Sequence, residues 1–363
     1  GGAVFARSSF GSVANDTLIN CLFSRNSTAG SSSINDGEGG AVFLRGSQDG
    51  TRNHHIINCV FEANSASERG GAIGATSFFS DAGTLNAHMI NCTFFRNTTP
   101  GDGGAVHAEG SGGVNNISIV NSILWMDEAA GDGAELVTNG ASITVAHSVL
   151  QDDIPEGVAD DGNNLTEDPQ LVDPANGDFR LSACSPARDA GQNAAIPLDL
   201  TDVDFRGTER IVNDTVDMGA FEWDGDPPEL VLDFTLTDVS CSGLGDGQAE
   251  VNPSGGIPGY SFNWSDGQTT ATATALSAGV YHLTVSDAFN CVLTDSVVIR
   301  ENEPLLAAVS NDTTVCAGAP VTLSATAAGG DGNYRFDWNN GLGEGAIQEV
   351  NPETSTTFTL MLS

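Results

Sequence analysis

The sequence predicts an all-β fold in which a parallel β-helix is followed by two small β-sandwich modules. Three observations support this. A short block, Ile-Asn-Cys-x-Phe-x-x-Asn, alternates along the chain with Gly-Gly-Ala-(Val/Ile). The central Asn or His of the block and its weaker copies stands at positions 20, 58, 91, 121 and 147, and fixed blocks with variable spacers indicate one unit stacked on itself. Beyond a Pro- and Gly-rich linker near residue 226, short β-type runs recur at sandwich spacing.

The Ile-Asn-Cys block is predicted to be a strand with one buried face. Ile19, Cys21 and Phe23 share one parity, and a period of two is typical of a half-buried strand. The inward residues of the next two copies are then Ile57, Cys59, Phe61, Ile90, Cys92 and Phe94.

The Gly-Gly-Ala block is predicted to be a second strand of the same repeat. Its inward residues are Val4, Ala6, Val42, Leu44, Ile73, Ala75, Val106 and Ala108. Its outward residues are Phe5, Phe43, Gly74, His107 and Leu136. Two or three short strands per repeat, with no helical period between them, describe a parallel β-helix and exclude a helical solenoid.

Stacking predicts columns of like residues. Cys21, Cys59 and Cys92 should form an inward column of small buried side chains. A zinc site is the alternative, but stacked strands present one thiol per rung rather than a tetrahedron. Asn26, Asn64 and Asn97 should form a turn column, since Asn tolerates left-handed backbone and its amide can bond to the next rung.

These blocks resemble a known family. Gly-Gly-Ala-(Ile/Val) with Phe-x-x-Asn, over roughly the first 125 residues, is similar to the repeats of polymorphic outer-membrane adhesins and related right-handed β-helix surface proteins. The β-helix rungs are therefore expected to occupy residues 1–150, in a fragment of a larger protein.

Residues 151–225 carry a second resemblance. The blocks Asp168–Pro174, Cys184–Gly191 and Val216–Glu222 resemble, in order, the closing segment of secreted bacterial β-helix proteins known as choice-of-anchor Q. The resemblance implies that this segment finishes and caps the β-helix, because a solenoid end needs a polar cover. The four arginines of the cap are expected to pair with Asp189, Asp199, Asp204 and Asp217.

The last two modules resemble domains of large surface proteins of Bacteroidota. Gly255–Gly267 and Ala278–Asp287 are similar to an SprB-type repeat, which sets a sandwich at residues 226–302. The family's cysteine pair falls on Cys241 and Cys291, so the resemblance implies a disulfide there. Residues 303–363 resemble a truncated Ig-like or PKD-like sandwich, and type IX secretion is implied for the whole protein.

Composition narrows the range of partners. The net charge is -36, from 48 acidic and 12 basic residues, and every basic residue is Arg. Nucleic-acid binding is excluded because phosphate contacts need cations. Direct membrane insertion is not expected, since no apolar run is long enough. An extracellular, cell-surface location follows from the resemblances. No cofactor is required, although an acidic surface could accommodate calcium.

Few residues suggest catalysis. A polysaccharide lyase or hydrolase needs carboxylates grouped on one outward face, whereas the outward Asn and His of the repeated block include none. His55 and His88 align on neighbouring rungs, either as a metal or proton-switch pair or as ordinary polar strand residues. Asp199, Asp202 and Asp204 are weak calcium candidates, for which arginine pairing competes. Weak O-glycosylation candidates, each after an Asp, are Thr17, Thr215, Ser296 and Thr313.

The sequence therefore predicts a structural or adhesive segment of a secreted surface protein, acting in display, adhesion, gliding or a filament or sheath. Its partners would be surface glycans, neighbouring surface proteins or further copies of itself. Phe5 and Phe43 are either sugar-stacking platforms or ordinary exposed aromatic residues. The alternative function is a polysaccharide-active β-helix enzyme with accessory modules.

Overall fold

The structure is a computed structural model that describes residues 2–6, 13–30, 37–46, 49–77, 83–110, 113–197, 200–225 and 228–363. The chain divides into two compact units, residues 1–229 and 230–363. The first is built from parallel strands and the second from antiparallel ones.

The first two rungs of the first unit contribute three short strands each, and the next two contribute four each. The strands of the first two rungs are β1 (Val4–Ala6), β2 (Val13–Ile19), β3 (Leu22–Ser24), β4 (Val42–Arg45), β5 (Thr51–Ile57) and β6 (Val60–Glu62). Those of the third and fourth are β7 (Ile73–Ser77), β8 (Thr84–Ile90), β9 (Thr93–Phe95), β10 (Thr98–Thr99), β11 (Val106–Gly110), β12 (Val114–Val120), β13 (Ile123–Trp125) and β14 (Glu128–Ala129). The stack ends with β15 (Leu136–Asn139), β16 (Ser142–Ala146), β17 (Val149–Leu150) and β18 (Val158–Asp160).

Equivalent strands stack into three long parallel sheets, and β10 and β14 form a short fourth one. Sheet A has the order β1-β4-β7-β11-β15, sheet B β18-β16-β12-β8-β5-β2, and sheet C β17-β13-β9-β6-β3. The register aligns Ile19, Ile57 and Ile90 as direct neighbours, which confirms the stacking predicted from the repeated block. The parallel β-helix is therefore confirmed.

The interior is apolar and stacked. Phe61 lies between Phe23 and Phe94, with ring centroids 4.9 and 4.7 Å apart and nearly parallel planes. Cys59 and Cys92 are fully buried free thiols, and Cys21 is half-buried. The inward residues predicted for the Gly-Gly-Ala strands belong to this core or pack against it. Leu136 does too, so its predicted outward position is wrong: Val137 is the partner of His107.

The predicted parity of the Ile-Asn-Cys block is also wrong at its first position. Ile56 and Met89 belong to the interior core, whereas Ile57 and Ile90 do not. The reason is the left-handed backbone of the next residue, at φ 50° in Asn58 and 52° in Asn91. A left-handed residue turns the chain between sheets B and C, so alternation does not continue through it.

The Gly-Gly pairs are required where successive rungs approach most closely. Gly70 and Gly103 have φ of 65° and 71°. A Cβ on Gly71 would overlap the carbonyl oxygen of Gly104 in the next rung. Only glycine satisfies both conditions without strain.

Residues 169–223, here called the side cover, follow the last rung. They contain a hairpin of β19 (Leu171–Asp173) and β20 (Asp178–Leu181) and two short 3-10 turns, Pro174–Asn176 and Asn193–Ala195. The side cover packs on the outer face of sheet C, where Phe179, Met218 and Phe221 join Phe95 and Ile123 in a second core. The side cover therefore lies along the side of the β-helix, whereas Ile154 and Val158, at the start of the predicted cap, pack against the interior core and β18 adds a rung to sheet B.

The second unit consists of short antiparallel sheets. Its strands are β21 (Val231–Thr237), β22 (Gly247–Ser254), β23 (Ser261–Trp264), β24 (Thr272–Leu276), β25 (Gly279–Ser286), β26 (Val292–Ile299), β27 (Leu306–Val309), β28 (Val321–Ala328), β29 (Phe336–Trp338), β30 (Gly343–Glu344), β31 (Ile347–Val350) and β32 (Leu360–Leu362). Sheets β21-β22-β24 and β23-β25-β26 enclose a core around Trp264. Sheets β27-β28-β31 and β30-β29-β32 complete the unit, so the predicted β-sandwich character of this region is confirmed.

Candidate functional site

The outward Asn column of the repeated block binds the side cover. Asn58 Nδ2 donates to the carbonyl of Val203 at 2.7 Å, and Asn91 Nδ2 donates to that of Asp217 at 3.0 Å. Asn121 Nδ2 donates to the carbonyl of Gln192, and its Oδ1 accepts from the amide of the same residue. The column is therefore an internal docking strip for the chain's own segment.

The outer face of sheet B next to this strip carries three columns of uncharged side chains. They are Val13, Thr51, Thr84 and Val114; Asn15, Asn53, Asn86, Asn116 and Ser142; and Thr17, His55, His88, Ser118 and Thr144. We call this surface the neutral face. None of these positions holds a carboxylate or a guanidinium group, although the chain has 48 acidic residues.

The middle column of the neutral face is an asparagine ladder. Asn53 Nδ2 donates to Asn15 Oδ1 at 2.8 Å, and Asn86 Nδ2 donates to Asn53 Oδ1 at 2.8 Å. Asn116 Nδ2 continues to Asn86 Oδ1 at 2.9 Å. Sequence reasoning missed this ladder, although each member stands five residues before the Asn of the repeated block.

His55 and His88 are neighbours in the third column, as the sequence predicted. Their ring centroids are 5.2 Å apart, and His88 Nδ1 lies 2.8 Å from Ser118 Oγ. Burial, and secondarily the neighbouring His55, lowers the pKa of His88. Across the described ranges, no group of three or more His, Cys, Asp or Glu side chains could hold a metal ion. The pair fits the interpretation as polar strand residues.

A second asparagine ladder runs inside the β-helix through the predicted turn column. Asn64 Oδ1 accepts from Asn26 N at 3.0 Å and from its Nδ2 at 2.9 Å. Asn97 Oδ1 accepts the same pair of bonds from Asn64, at 3.0 and 2.9 Å. The left-handed backbone lies one residue earlier than expected, at Arg25, Ala63 and Arg96.

The interior ladder ends on a carboxyl group. Asp127 Oδ1 accepts from Asn97 N at 2.7 Å and Nδ2 at 2.8 Å, while Asp127 Oδ2 is buried without a hydrogen-bond partner in the described structure. Burial raises the pKa of Asp127 to about 7, against the lowering effect of the Asn97 bonds. The protonated form is thus favoured at acidic pH.

Glu135 is a second buried carboxyl in the same region. Its Oε1 accepts from Gln151 N at 2.6 Å, and its exposed fraction is 3%. Burial raises its pKa to about 9, and the charge of Asp127 contributes in the same direction. Both carboxyl groups are buried.

A polar cluster interrupts the apolar interior at the first two rungs. Arg52 Nη1 donates to Asp16 Oδ2 at 2.8 Å, and His54 Nδ1 lies 3.4 Å from the same oxygen. Burial lowers the pKa of His54 to about 4, although Asp16 opposes the shift. His54 is therefore neutral at pH 7, so its contact with Asp16 is not an ion pair.

The calcium candidates do not form a cation site in the part of the chain that the structure describes. Asp204 is fully buried, and its carboxylate accepts from the amides of Arg206, Thr208 and Glu222. Asp202 is exposed, and Asp199 lies outside the described residues. Backbone donors already occupy the Asp204 oxygens that a cation would need.

The arginines of the side cover find partners close to those predicted. Arg206 lies 3.8 Å from Asp204 and 3.2 Å from Asp224. Arg188 contacts Asp189 at 3.7 Å, and Arg180 contacts Asp178 at 2.8 Å. Arg210 is buried. Its Nη2 donates to the carbonyls of Asp217 and Gly219, and its Nε lies 3.8 Å from Glu222, so the predicted carboxylate pairing with Asp217 is replaced.

The disulfide predicted between Cys241 and Cys291 is wrong. Cys241 is an exposed free thiol. It lies near Arg300 and Glu301, because Val239 N donates to Arg300 O and Gly243 N donates to Glu301 Oε2. Cys291 precedes β26, whose eight residues span roughly 25 Å. A disulfide requires Cα atoms within about 7 Å.

The remaining candidates lie on different surfaces. Phe5 and Phe43 stack with centroids 5.4 Å apart, but Phe43 is buried and only Phe5 is exposed. Among the glycosylation candidates, Thr17, Ser296 and Thr313 are exposed, and Thr215 is half-buried. Cys316 is an exposed free thiol. No helix in the described residues is long and apolar enough to cross a membrane.

Comparison with known proteins identifies two repeats. The SprB repeat matches residues 234–269, which cover β21 to the turn after β23. The Chlamydia polymorphic membrane protein repeat matches residues 91–109, from the third Ile-Asn-Cys block into β11. No curated protein matches the chain. Both repeat families are surface-protein types without enzymatic activity, so the chain is similar to surface and adhesin-like proteins in two separate regions.

Proposed function

We propose that this chain is a structural and adhesive segment of a secreted bacterial surface protein. The observation that carries the proposal is the continuous stack of sheets A, B and C, in a chain that also contains a match to the SprB repeat. A stack stabilised along its whole length by repeated side-chain bonds is a rigid scaffold for exposed faces. Such a scaffold supports display and contact rather than chemistry.

The finer assignment concerns origin and export. We infer that the protein belongs to the large surface proteins that Bacteroidota export by type IX secretion, with surface glycans, neighbouring surface proteins or further copies as partners. The order of modules supports this: a β-helix with polymorphic membrane protein-like repeats precedes the SprB-type repeat. The strongly acidic composition fits an extracellular setting in which salt screens self-repulsion.

Labelling of the producing cells tests both levels of the proposal. Antibodies against residues 230–363 should label intact cells, and external protease should remove the signal. A strain that lacks the type IX translocon should lose the label while retaining the intracellular chain. Label that appears only after permeabilisation would reject a surface location.

Attachment assays test the adhesive role. Deletion of the segment that encodes residues 1–229 from the full gene should reduce attachment of intact cells, while surface label against residues 230–363 persists. If attachment were unchanged while the surface label persisted, the adhesive role of residues 1–229 would be rejected and only a structural role would remain.

A further inference from the structure

We propose that the neutral face binds an uncharged polysaccharide chain laid across the strands of sheet B. The inference rests on the proposed surface function and names the partner of one face. It depends on three properties of that face: its charge, its periodicity and its rigidity.

The neutral face carries no charged side chain, whereas the chain as a whole is strongly acidic. At a net charge of -36, the protein repels polyanions and attracts cationic partners wherever carboxylates are exposed. The neutral face offers instead amides, hydroxyls and imidazoles, edged by Val13 and Val114, which are 71% and 54% exposed. A charged partner would find no opposite charge on this face. An uncharged partner gives up no ion pair or counterion when it binds there.

Periodicity favours a polymer. Each strand adds one Asn or Ser and one Thr, Ser or His in register, and neighbouring strands lie about 4.8 Å apart. A chain that runs along the stack would meet the same set of groups at every rung. Polysaccharides present hydroxyls at a regular interval along an extended chain, so repeated weak bonds can add up.

Rigidity lowers the cost of binding. The ladder bonds of Asn53 and Asn86 hold both amides in one orientation, and each uses only one N–H and one carbonyl lone pair. The second N–H and lone pair remain for a ligand. Because the groups are already ordered, binding does not require them to lose rotamer freedom.

Co-sedimentation of the purified full chain with microcrystalline cellulose and with chitin tests the inference, with alginate as the polyanionic comparison. Binding to at least one neutral polysaccharide is expected, and it should depend little on salt concentration. No binding to alginate is expected. The double variant Asn53→Asp/Asn86→Asp places two charges in the ladder and should weaken binding at least about tenfold. Asn139→Asp, at an exposed strand end of sheet A, is the matched control and should bind like the unmodified chain.

A second variant protects the test from misfolding. Val114→Glu adds one carboxylate to the edge of the neutral face without touching the ladder, and should weaken binding about threefold or more with an unchanged melting temperature. Absence of binding to both polysaccharides, or binding that neither variant weakens, would overturn the inference. Adsorption to ice crystals alone would overturn it too, and would assign the face to ordered water. Surface labelling without sedimentation rejects this inference only, and leaves the proposed function in place.

Discussion

Two asparagine ladders run along the same β-helix, one inside it and one on its outer surface. In the interior, each of Asn64 and Asn97 uses its carbonyl twice and its amide nitrogen twice, since Nδ2 also donates to the carbonyl of Phe23 or Phe61. On the neutral face, each of Asn53 and Asn86 uses one donor and one acceptor within the ladder. Burial therefore separates the two roles: a fully hydrogen-bonded amide stabilises the stack, and a half-used amide keeps one donor and one acceptor for a ligand.

Loss of the interior ladder should destabilise the fold more than any other change considered below. Asn64→Ala removes the acceptor for two donors of Asn26 and the Nδ2 donor to the carbonyl of Phe23, and it leaves Asn97 Oδ1 with one of its two bonds from residue 64. Buried groups without partners cost about 1–3 kcal/mol each, so unfolding free energy should fall by roughly 3–5 kcal/mol. Urea unfolding of the full chain measures it. A loss below about 1 kcal/mol would show that the interior ladder does not stabilise the stack.

Substitution of Asp127 should instead raise stability, by an amount that depends on pH. Asp127 has a pKa of about 7 in the folded chain, above its value near 3.9 in the unfolded chain. The stability that its protonated form contributes is therefore present at low pH and is lost as the pH rises from about 3.9 to about 7. Asp127→Asn keeps the acceptor for Asn97 and adds a donor where Oδ2 lacks a partner.

The Asp127→Asn variant should therefore be more stable than the unmodified chain by roughly 1–3 kcal/mol at pH 8, and nearly equal to it at pH 4. Thermal melts at both values measure the difference. Asp160→Asn, at an exposed strand end, controls for the general removal of negative charge. Equal gains at both pH values would show that titration of Asp127 is not the cause.

The outer ladder should respond weakly to the matching change. Asn86→Ala removes two half-exposed hydrogen bonds, so unfolding free energy should fall by only about 0.5–1.5 kcal/mol. Asn116→Ala, at the ladder end, removes one bond and should cost less. If Asn86→Ala were as damaging as Asn64→Ala, the distinction between the two ladders would fail.

A substitution outside both ladders serves as the reference and should have the smallest effect on stability. Cys241→Ser alters an exposed free thiol outside both ladders and should change unfolding free energy by less than about 0.5 kcal/mol in oxidising buffer. A loss of about 2–5 kcal/mol would indicate that Cys241 forms a disulfide with Cys291 after all, against the free thiol seen in the structure.

The two ladders also differ in how far the sequence could predict them. Asn26, Asn64 and Asn97 were found because they belong to the Phe-x-x-Asn motif, and their amide bonds follow from stacking. Asn53 and Asn86 recur at a constant offset from the repeated block. The other outward positions of the strands in sheet B, however, hold Thr, His and Val, among which two Asn residues do not stand out. The signal was present, yet it was no stronger than that of an ordinary polar strand face.

The stacking of the rungs and its register follow from the sequence alone. Repeated blocks and a period of two identify which residues become neighbours from rung to rung, because the same local pattern must meet itself at every turn. Which sides of the stack face solvent depends instead on the three-dimensional path of the chain. The left-handed Asn58 and Asn91 reset the alternation of strand faces, and the side cover reaches back over Asn58 from a segment more than a hundred residues away. Contacts at such separation depend on the path of the whole chain, which no local pattern of residues encodes.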